Sequence, residues 1–240
     1  MPASPPCTLS ISELTVALIA ENKNVLIPDT CTILDIIRSP IRAGGEIVMR
    51  EAISMAQCVV AGTLSFAIVL PSVLLTEWQD NLGNVRAELN HGLTEHKRLS
   101  DSLMQLHRYH TGAEFLIPDV MEKGFDDILE QTCKTIMDGA YTVQKEDHIV
   151  MRAFERVLQK RPPSRKGKPE IKDCSIFEEV LALGKAMASQ SFKKSIIFCS
   201  TNKEEYNPSG KVLPEIAIDL AEAGVQFAAH LQHASHLASK

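Results

Sequence analysis

The sequence has no Cys-x-x-Cys pair, no Gly-x-Ser-x-Gly or Walker motif, and no excess of positive charge. Its six cysteines are scattered, and four lie in apolar runs, which predicts reduced thiols and a cytoplasmic protein. The formal net charge of −5 argues against a protein that coats nucleic acid non-specifically. The missing motifs exclude a hydrolase with a nucleophile elbow and a P-loop nucleotide-binding protein.

A secretion signal and a membrane span are also not indicated. The first residues lack a basic region, and Glu13 interrupts the apolar stretch that could serve as a signal, so we expect no secretion. Residues 52–76 carry no charge, but they contain polar side chains and Pro71, and their pattern changes near residue 64. We therefore expect a helix end, a short strand and a new helix there, with no membrane partner.

The apolar pattern predicts strands that alternate with helices, and hence an α/β fold with a mostly parallel sheet. Residues 84–160 give no strand signal and predict a mainly helical insertion within a single domain over 1–240. The long helical region after Pro71 is expected to break near Gly83. The expected helices are 11–22 with a Ser10–Glu13 capping box, one after Asp29, 46–61, 173–187 and one from Leu213, and the expected strands are 24–28, 66–70 and one ending at Ser200.

Acidic side chains recur next to these predicted strands. Asp29 follows the first strand, Glu77 follows the second, Asp173 opens the helix before the third, and Glu205 lies beyond the third. The carboxyl ends of parallel strands meet at one sheet edge, so these acids are expected to converge there. Carboxylates packed together favour a divalent cation such as Mg²⁺ or Mn²⁺ over zinc.

Ordinary structural roles remain open for each of these acids. Asp29 and Asp173 could be helix N-caps, and Glu77 could be a solvated helix residue. Glu178 and Glu179 could belong to one exposed helix face.

Four stretches of the sequence together resemble the PIN-domain nucleases. "VLIPDTCTILD" resembles the opening strand with its Asp-Thr signature, and "IVLPSVLLTEW" resembles the second strand with its proline and helical Glu. "IKDCSIFEEVL" resembles the third acidic motif in its Asp-Cys-x-Ile-x-Glu form, and "IIFCSTNKEEY" is similar to the branch that reads Thr-x-Asn-x-x-Asp-Phe. The resemblance implies a three-layer α/β/α fold and a metal-dependent nuclease that acts on RNA.

The resemblance also implies roles for particular residues. The acidic core would be Asp29, Glu77 and Asp173, and these acids with Glu205 would hold the metal ions. Glu178 would add a catalytic acid, and the supporting residues would be Thr30, Ser200 and Asn202. The sequence departs from the family at Cys31, where Asn or Ser is usual, at Ser200, which replaces Thr, and at Glu205, which replaces Asp.

A basic loop leads directly into Asp173. It holds only one acid, Glu170, and no aromatic residue, so it suits contacts to a phosphate backbone better than base stacking. A solvated linker is the alternative. The predicted nucleic-acid-binding residues are Arg161, Arg165, Lys166, Lys168 and Lys172.

These observations favour a Mg²⁺- or Mn²⁺-dependent endoribonuclease that hydrolyses phosphodiester bonds with metal-activated water. The expected partner is RNA or single-stranded DNA, with a second copy of the chain or a regulatory protein as further candidates. A catalytically silent RNA- or protein-binding module is the main alternative. An aspartyl-phosphate phosphatase is less favoured, because Cys31 stands where its second acid would be. His230, His233 and His236 could line a metal-binding helix face, but a frayed C-terminal tail is the expected reading.

Overall fold

A six-stranded parallel sheet organises the computed structural model, which describes residues 7–114, 124–164 and 170–240. The strands occur in the order β1-β4-β3-β2-β5-β6, and every described pairing is parallel. The α/β class and the parallel sheet expected from the sequence are therefore confirmed. The strands are β1 (Thr8–Leu9), β2 (Asn24–Pro28), β3 (Phe66–Leu70), β4 (Tyr141–Val143), β5 (Ile196–Cys199) and β6 (Val225–Ala228).

Helices cover both faces of this sheet. The capping box of the first helix forms as expected, because the Ser10 side chain accepts from the Glu13 N–H and the Glu13 carboxylate accepts from the Ser10 N–H. The helices are α1 (Ile11–Glu21), α2 (Thr30–Arg38), α3 (Gly45–Ala61), α4 (Leu74–Thr111), α5 (Phe125–Asp138), α6 (Asp147–Leu158), α7 (Ile171–Ser189), α8 (Lys203–Tyr206), α9 (Pro214–Glu222) and α10 (Leu231–Ala238).

Two hydrophobic cores lie on the two faces of the sheet. Leu26 and Ile68 point towards the core formed with α2, α3, α4, α5 and α10. Val25, Ile27 and Val69 point towards the core formed with α1, α6, α7 and α9. Neighbouring strand residues alternate between the two faces, which gives the three-layer α/β/α arrangement and leaves the carboxyl ends of the strands at one edge.

The structure corrects three expectations. The stretch 84–160, in which no strand is expected, contains β4, which pairs with β3 and β1 inside the sheet, whereas its other described elements are helices. Helix α4 continues through Gly83, because one glycine costs about 1 kcal/mol and the burial of Trp78 and Val85 on either side outweighs that.

The C-terminal segment is not frayed. Helix α10 buries Leu231, Ala234 and Ala238 against the core, while its histidines face solvent. No helix in the described ranges is long and apolar enough to cross a membrane.

Candidate active site

Asp29 stands at the end of β2 and begins α2. Its Oδ1 accepts hydrogen bonds from the backbone N–H and the hydroxyl of Thr32, both at 2.7 Å, and its Oδ2 accepts from the Ser200 hydroxyl. The residue is only 2% exposed, and burial raises the pKa of its carboxyl to about 6 although these hydrogen bonds oppose the rise. Asp29 is therefore a helix N-cap and also a buried acid at the sheet edge.

Glu77 lies in the first turn of α4, beside the end of β3. The hydroxyl of Thr30 donates to its Oε2 at 2.6 Å, which ties α4 to the start of α2. On the other side, the Lys172 Nζ lies 3.7 Å from the Glu77 Oε1 and 3.7 Å from the Asp80 Oδ2. Glu77 thus belongs to a contact network at the carboxyl edge and is not a freely solvated helix residue.

Asp173 lies in the first turn of α7, on the opposite face of the sheet from α4. Burial, together with the negative charges of Asp29, Glu77, Glu170 and Glu205, raises the pKa of its carboxyl to about 7. Acids from four different segments therefore lie within electrostatic range of one another. The chain holds like charges together at the edge where α/β sheets place their sites.

The departure at position 31 lies within the same acidic cluster. Burial raises the pKa of the Cys31 thiol, and the charges of Asp29, Asp173, Asp35 and Glu77 add to that shift. The side chain therefore stays a neutral thiol at ordinary pH. It carries no negative charge beside the carboxylates.

Residues after β5 close the other side of the cluster. Ser200 is fully buried, and its N–H donates to the Ala228 carbonyl, which fixes the hydroxyl that contacts Asp29. The Asn202 N–H donates to the Ser200 Oγ at 3.2 Å. Glu205 follows in α8 and is 2% exposed. The predicted supporting residues Thr30, Ser200 and Asn202 thus each lie in this network.

The structure places Glu178 in a different network on α7. Its Oε1 accepts from the Arg156 Nε at 2.6 Å, and the same guanidinium donates to the Asp219 Oδ2 at 2.8 Å and to the Pro162 carbonyl. Glu178 is 7% exposed, so it does not belong to an exposed face either. None of its described contacts joins it to the acidic cluster.

The predicted basic residues divide into three groups. Lys172 lies beside Glu77, as described above. Arg161 is 3.0 Å from the Asp219 Oδ1 and therefore belongs to the Glu178 network. Arg165, Lys166 and Lys168 lie outside the described residues.

Two contributors were missed by the sequence analysis. Thr32 holds Asp29 through its backbone N–H and its hydroxyl. Its position three residues after an N-cap acid could have indicated this contact in the sequence. Glu179 is buried, and its carboxylate accepts from both the N–H and the hydroxyl of Ser72, just before α4. This contact joins the helix that carries Asp173 to the start of the helix that carries Glu77. Only the tertiary structure reveals it.

The acidic cluster offers oxygen donors of the kind that bind a metal ion. In the described ranges, no three His, Cys, Asp or Glu side chains are placed so that they could hold a metal together. Thr32 and Ser200 orient the Asp29 carboxylate, and Thr30 and Lys172 orient that of Glu77. Each carboxylate oxygen has a second lone pair, so the chemistry of the donors fits a hard cation, and the side chains would have to move to gather around one.

The fold and the cluster define an α/β protein with an acidic centre at the carboxyl edge of a parallel sheet. A family model described as a PIN domain matches residues 54–206, more than half of the chain, so the chain belongs to the PIN domain family. The matched part contains Glu77, Asp173 and Glu205, whereas Asp29 and Thr30 precede it. The branch of the family expected from the fourth motif stays a prediction. No curated protein and no solved structure matches the chain.

Proposed function

We propose that this protein is a Mg²⁺- or Mn²⁺-dependent endoribonuclease of the cytoplasm. Membership of the PIN domain family makes it a nuclease-like module, and that family generally uses divalent metals. All six cysteines are free, which suits a reducing compartment. The choice between the two ions, the RNA substrate and the cytoplasmic location are parts of the proposal.

One observation carries this proposal, namely the convergence of Asp29, Glu77 and Asp173 at the carboxyl edge of the sheet. Burial and the charges of its acidic neighbours bring the pKa of the Asp173 carboxyl to about 7. Such a cluster destabilises the folded chain unless a cation offsets the repulsion. Perturbed acids that converge in this way are typical of functional sites.

The residues that would hold the cation are Asp29, Glu77, Asp173 and Glu205. A bound divalent ion supplies activation of water and offsets negative charge on the phosphate under attack. Thr32 and Ser200 orient Asp29, and Thr30 orients Glu77, so these hydroxyls hold two of the carboxylates in place. Lys172, about half exposed beside Glu77, is placed to contact a substrate phosphate.

The experiment compares cleavage of single-stranded RNA and single-stranded DNA in Mn²⁺, in Mg²⁺ and in EDTA. Asp29→Asn and Asp173→Asn are tested beside Asp101→Asn, which makes the same change at an exposed position on α4. Circular dichroism and thermal melting establish that each variant is folded.

The proposal expects metal-dependent cleavage of RNA that both site variants abolish and the control retains. Cleavage of DNA alone would overturn the choice of RNA but keep the nuclease. Cleavage in EDTA, or cleavage that survives both site variants, would overturn the metal-dependent site. No cleavage of either polymer would overturn the nuclease and favour a catalytically silent binding module.

A further inference from the structure

A small cavity adjoins the acidic cluster on the side of β5 and β6. Its volume is about 190 Å³, and it lies between α2, the start of α3 and the segments that follow the two strands. Thr32 is part of its lining and also holds the Asp29 carboxylate. The cavity is therefore one side chain away from the proposed site.

Three basic side chains from separate segments line this cavity. They are Arg42, Lys203 and His230. Asp35, the acid among the described lining residues, pairs with Arg42 at 2.7 Å and with Arg38 at 3.4 Å. Lys203 therefore contributes positive charge beyond that pairing, and the His230 ring can donate a hydrogen bond. This lining suits an anion.

An unused hydroxyl gives a second indication of a ligand. Thr201 lines the cavity, and its Oγ1 is buried without a hydrogen-bond partner in the described residues. A buried hydroxyl left without a partner costs about 1–3 kcal/mol, so such groups usually have one. A ligand oxygen in the cavity is a natural partner for it.

The positive end of the α3 dipole lies at the same place, although the Gly45 N–H itself donates to the Arg42 carbonyl at 3.0 Å. Gly44 and Gly45 line the cavity, and no side chain caps this 17-residue helix. The first N–H groups of a helix attract anions, phosphate above all. A Cβ at Gly44 would meet no atom within 4 Å, so the space beside it is open.

We propose that this cavity binds a phosphate of the nucleic-acid strand next to the one at the acidic cluster. The identity of the ligand rests on the proposed function. In the sheet order, Asp29 of β2 lies between Glu77 beside β3 and the residues that follow β5 and β6. Lys172 lies on the first side and Lys203 on the second, so positive charge flanks the acids along the edge. A strand crossing the acids would bring a neighbouring phosphate to the cavity.

The test measures binding without cleavage. The full chain is titrated in EDTA into short single-stranded RNA that carries a 3′ fluorophore and either a 5′-phosphate or a 5′-hydroxyl, and fluorescence anisotropy is read at several salt concentrations. The variants are Lys203→Gln, Arg42→Gln, both together, and Thr201→Val. Lys193→Gln is the matched control, because it removes an exposed charge at the opposite edge of the sheet, before β5.

The double variant is expected to raise Kd at least tenfold and to reduce the slope of log Kd against log salt by roughly 0.7 per lost charge. Thr201→Val is expected to raise Kd about threefold, consistent with the loss of one neutral hydrogen bond. Equal losses for both RNAs would identify an internal phosphate as the ligand. A loss confined to the 5′-phosphorylated RNA would identify a terminal phosphate.

The proposal is overturned if the double variant binds within twofold of Lys193→Gln, or if the unmutated protein binds neither RNA. The cleavage assay separates this result from the proposed function. If the protein cleaves RNA but the double variant binds as tightly as the unmutated protein, the phosphate site is rejected and the nuclease activity stands. If the variants lose binding as expected but the protein cleaves RNA with neither metal, the phosphate site stands and the nuclease activity is rejected.

Discussion

Helix α7 carries two acids, the half-buried Asp173 and the buried Glu178, in opposite electrostatic settings. Asp173 lies among other carboxylates, and burial with their charges raises its pKa to about 7. Glu178 accepts a 2.6 Å bond from Arg156, whose guanidinium also lies 4.8 Å from the centre of the Phe177 ring. Among the described contacts, Asp173 has no hydrogen bond from a cationic side chain, whereas the charge of Glu178 is neutralised by Arg156.

The difference is the reason for assigning the acidic cluster to the proposed site and the Arg156–Glu178 pair to packing. The oppositely charged pair of Arg156 and Glu178 fixes how α6, α7 and α9 pack. Its charges neutralise each other, so no ligand is needed to account for them. Acids that repel one another lower the stability of the folded chain. A bound cation would offset that repulsion and so account for their proximity.

The largest expected effect is the loss of catalysis in Asp173→Asn. The change removes one charge from the proposed metal site with little change of shape, and we expect kcat to fall about 1,000-fold or more, equivalent to about 4 kcal/mol. The measurement is single-turnover cleavage of RNA in Mn²⁺. A fall of less than tenfold in a folded variant would remove Asp173 from the site.

The second prediction concerns Glu178. In Arg156→Met the buried Glu178 loses its partner, and we expect the free energy of unfolding to fall by about 3–5 kcal/mol. The measurement is urea unfolding. At a temperature where the variant stays folded, its cleavage rate should remain within a few-fold of the unmutated rate.

A double replacement provides the control for that prediction. Arg156→Met with Glu178→Met leaves neither charge of the pair, so much of the lost stability should return. If the double variant is as unstable as the single one, the loss comes from packing around Phe177 or from Asp219, and the charge explanation is wrong.

The sequence predicts the long elements well because their apolar periodicity is strong. The bounds of α1, α3, β2 and β3 differ from the expected ones by a residue at most. Strands β1 and β4 have two and three residues, which is too short for an alternating pattern, and they were missed. Their place in the sheet depends on the pairing of β4 with β3 and of β1 with β4, which only the folded chain provides.

The candidate site shows a similar division. Acids at strand ends could be predicted to converge, since topology alone brings them to one edge. The partners of Glu178 and Glu179 could not, because Arg156 and Ser72 approach them only through tertiary contacts. The sequence offers a helix cap and a site residue as alternative roles for Asp29, but the residue has both places. One carboxylate oxygen caps α2, and the carboxylate as a whole lies at the acidic cluster.

The third prediction tests the contact that joins the two acid-bearing helices. In Glu179→Gln one of the two bonds from Ser72 should be lost, and we expect the free energy of unfolding to fall by about 1–3 kcal/mol. Glu215→Gln, an exposed change in the first turn of α9, is the control. Unchanged urea unfolding would mean that Glu179 does not hold the start of α4.

The smallest expected effect is the pH dependence of stability without metal. The pKa values of Asp29 and Asp173 are raised to about 6 and about 7 from the ordinary aspartate value of 3.8. Their favourable contribution is therefore complete below pH 4 and is lost as pH rises through 6 and 7. Between pH 5.5 and 8 we expect a loss of about 1 kcal/mol after screening at the part-exposed Asp173, or about 2–4 °C in Tm.

The double variant Asp29→Asn with Asp173→Asn isolates this effect from Glu179, whose pKa is also raised to about 7 by burial. It should lose less Tm over the same pH range, because its amides do not ionise. At pH 8, Mn²⁺ should raise the Tm of the unmutated protein and leave the double variant unchanged, because a cation that binds only the folded acidic cluster stabilises that state. Equal pH slopes for the two proteins, together with no effect of Mn²⁺ on either, would mean that repulsion among these carboxylates does not limit stability and that no cation relieves it.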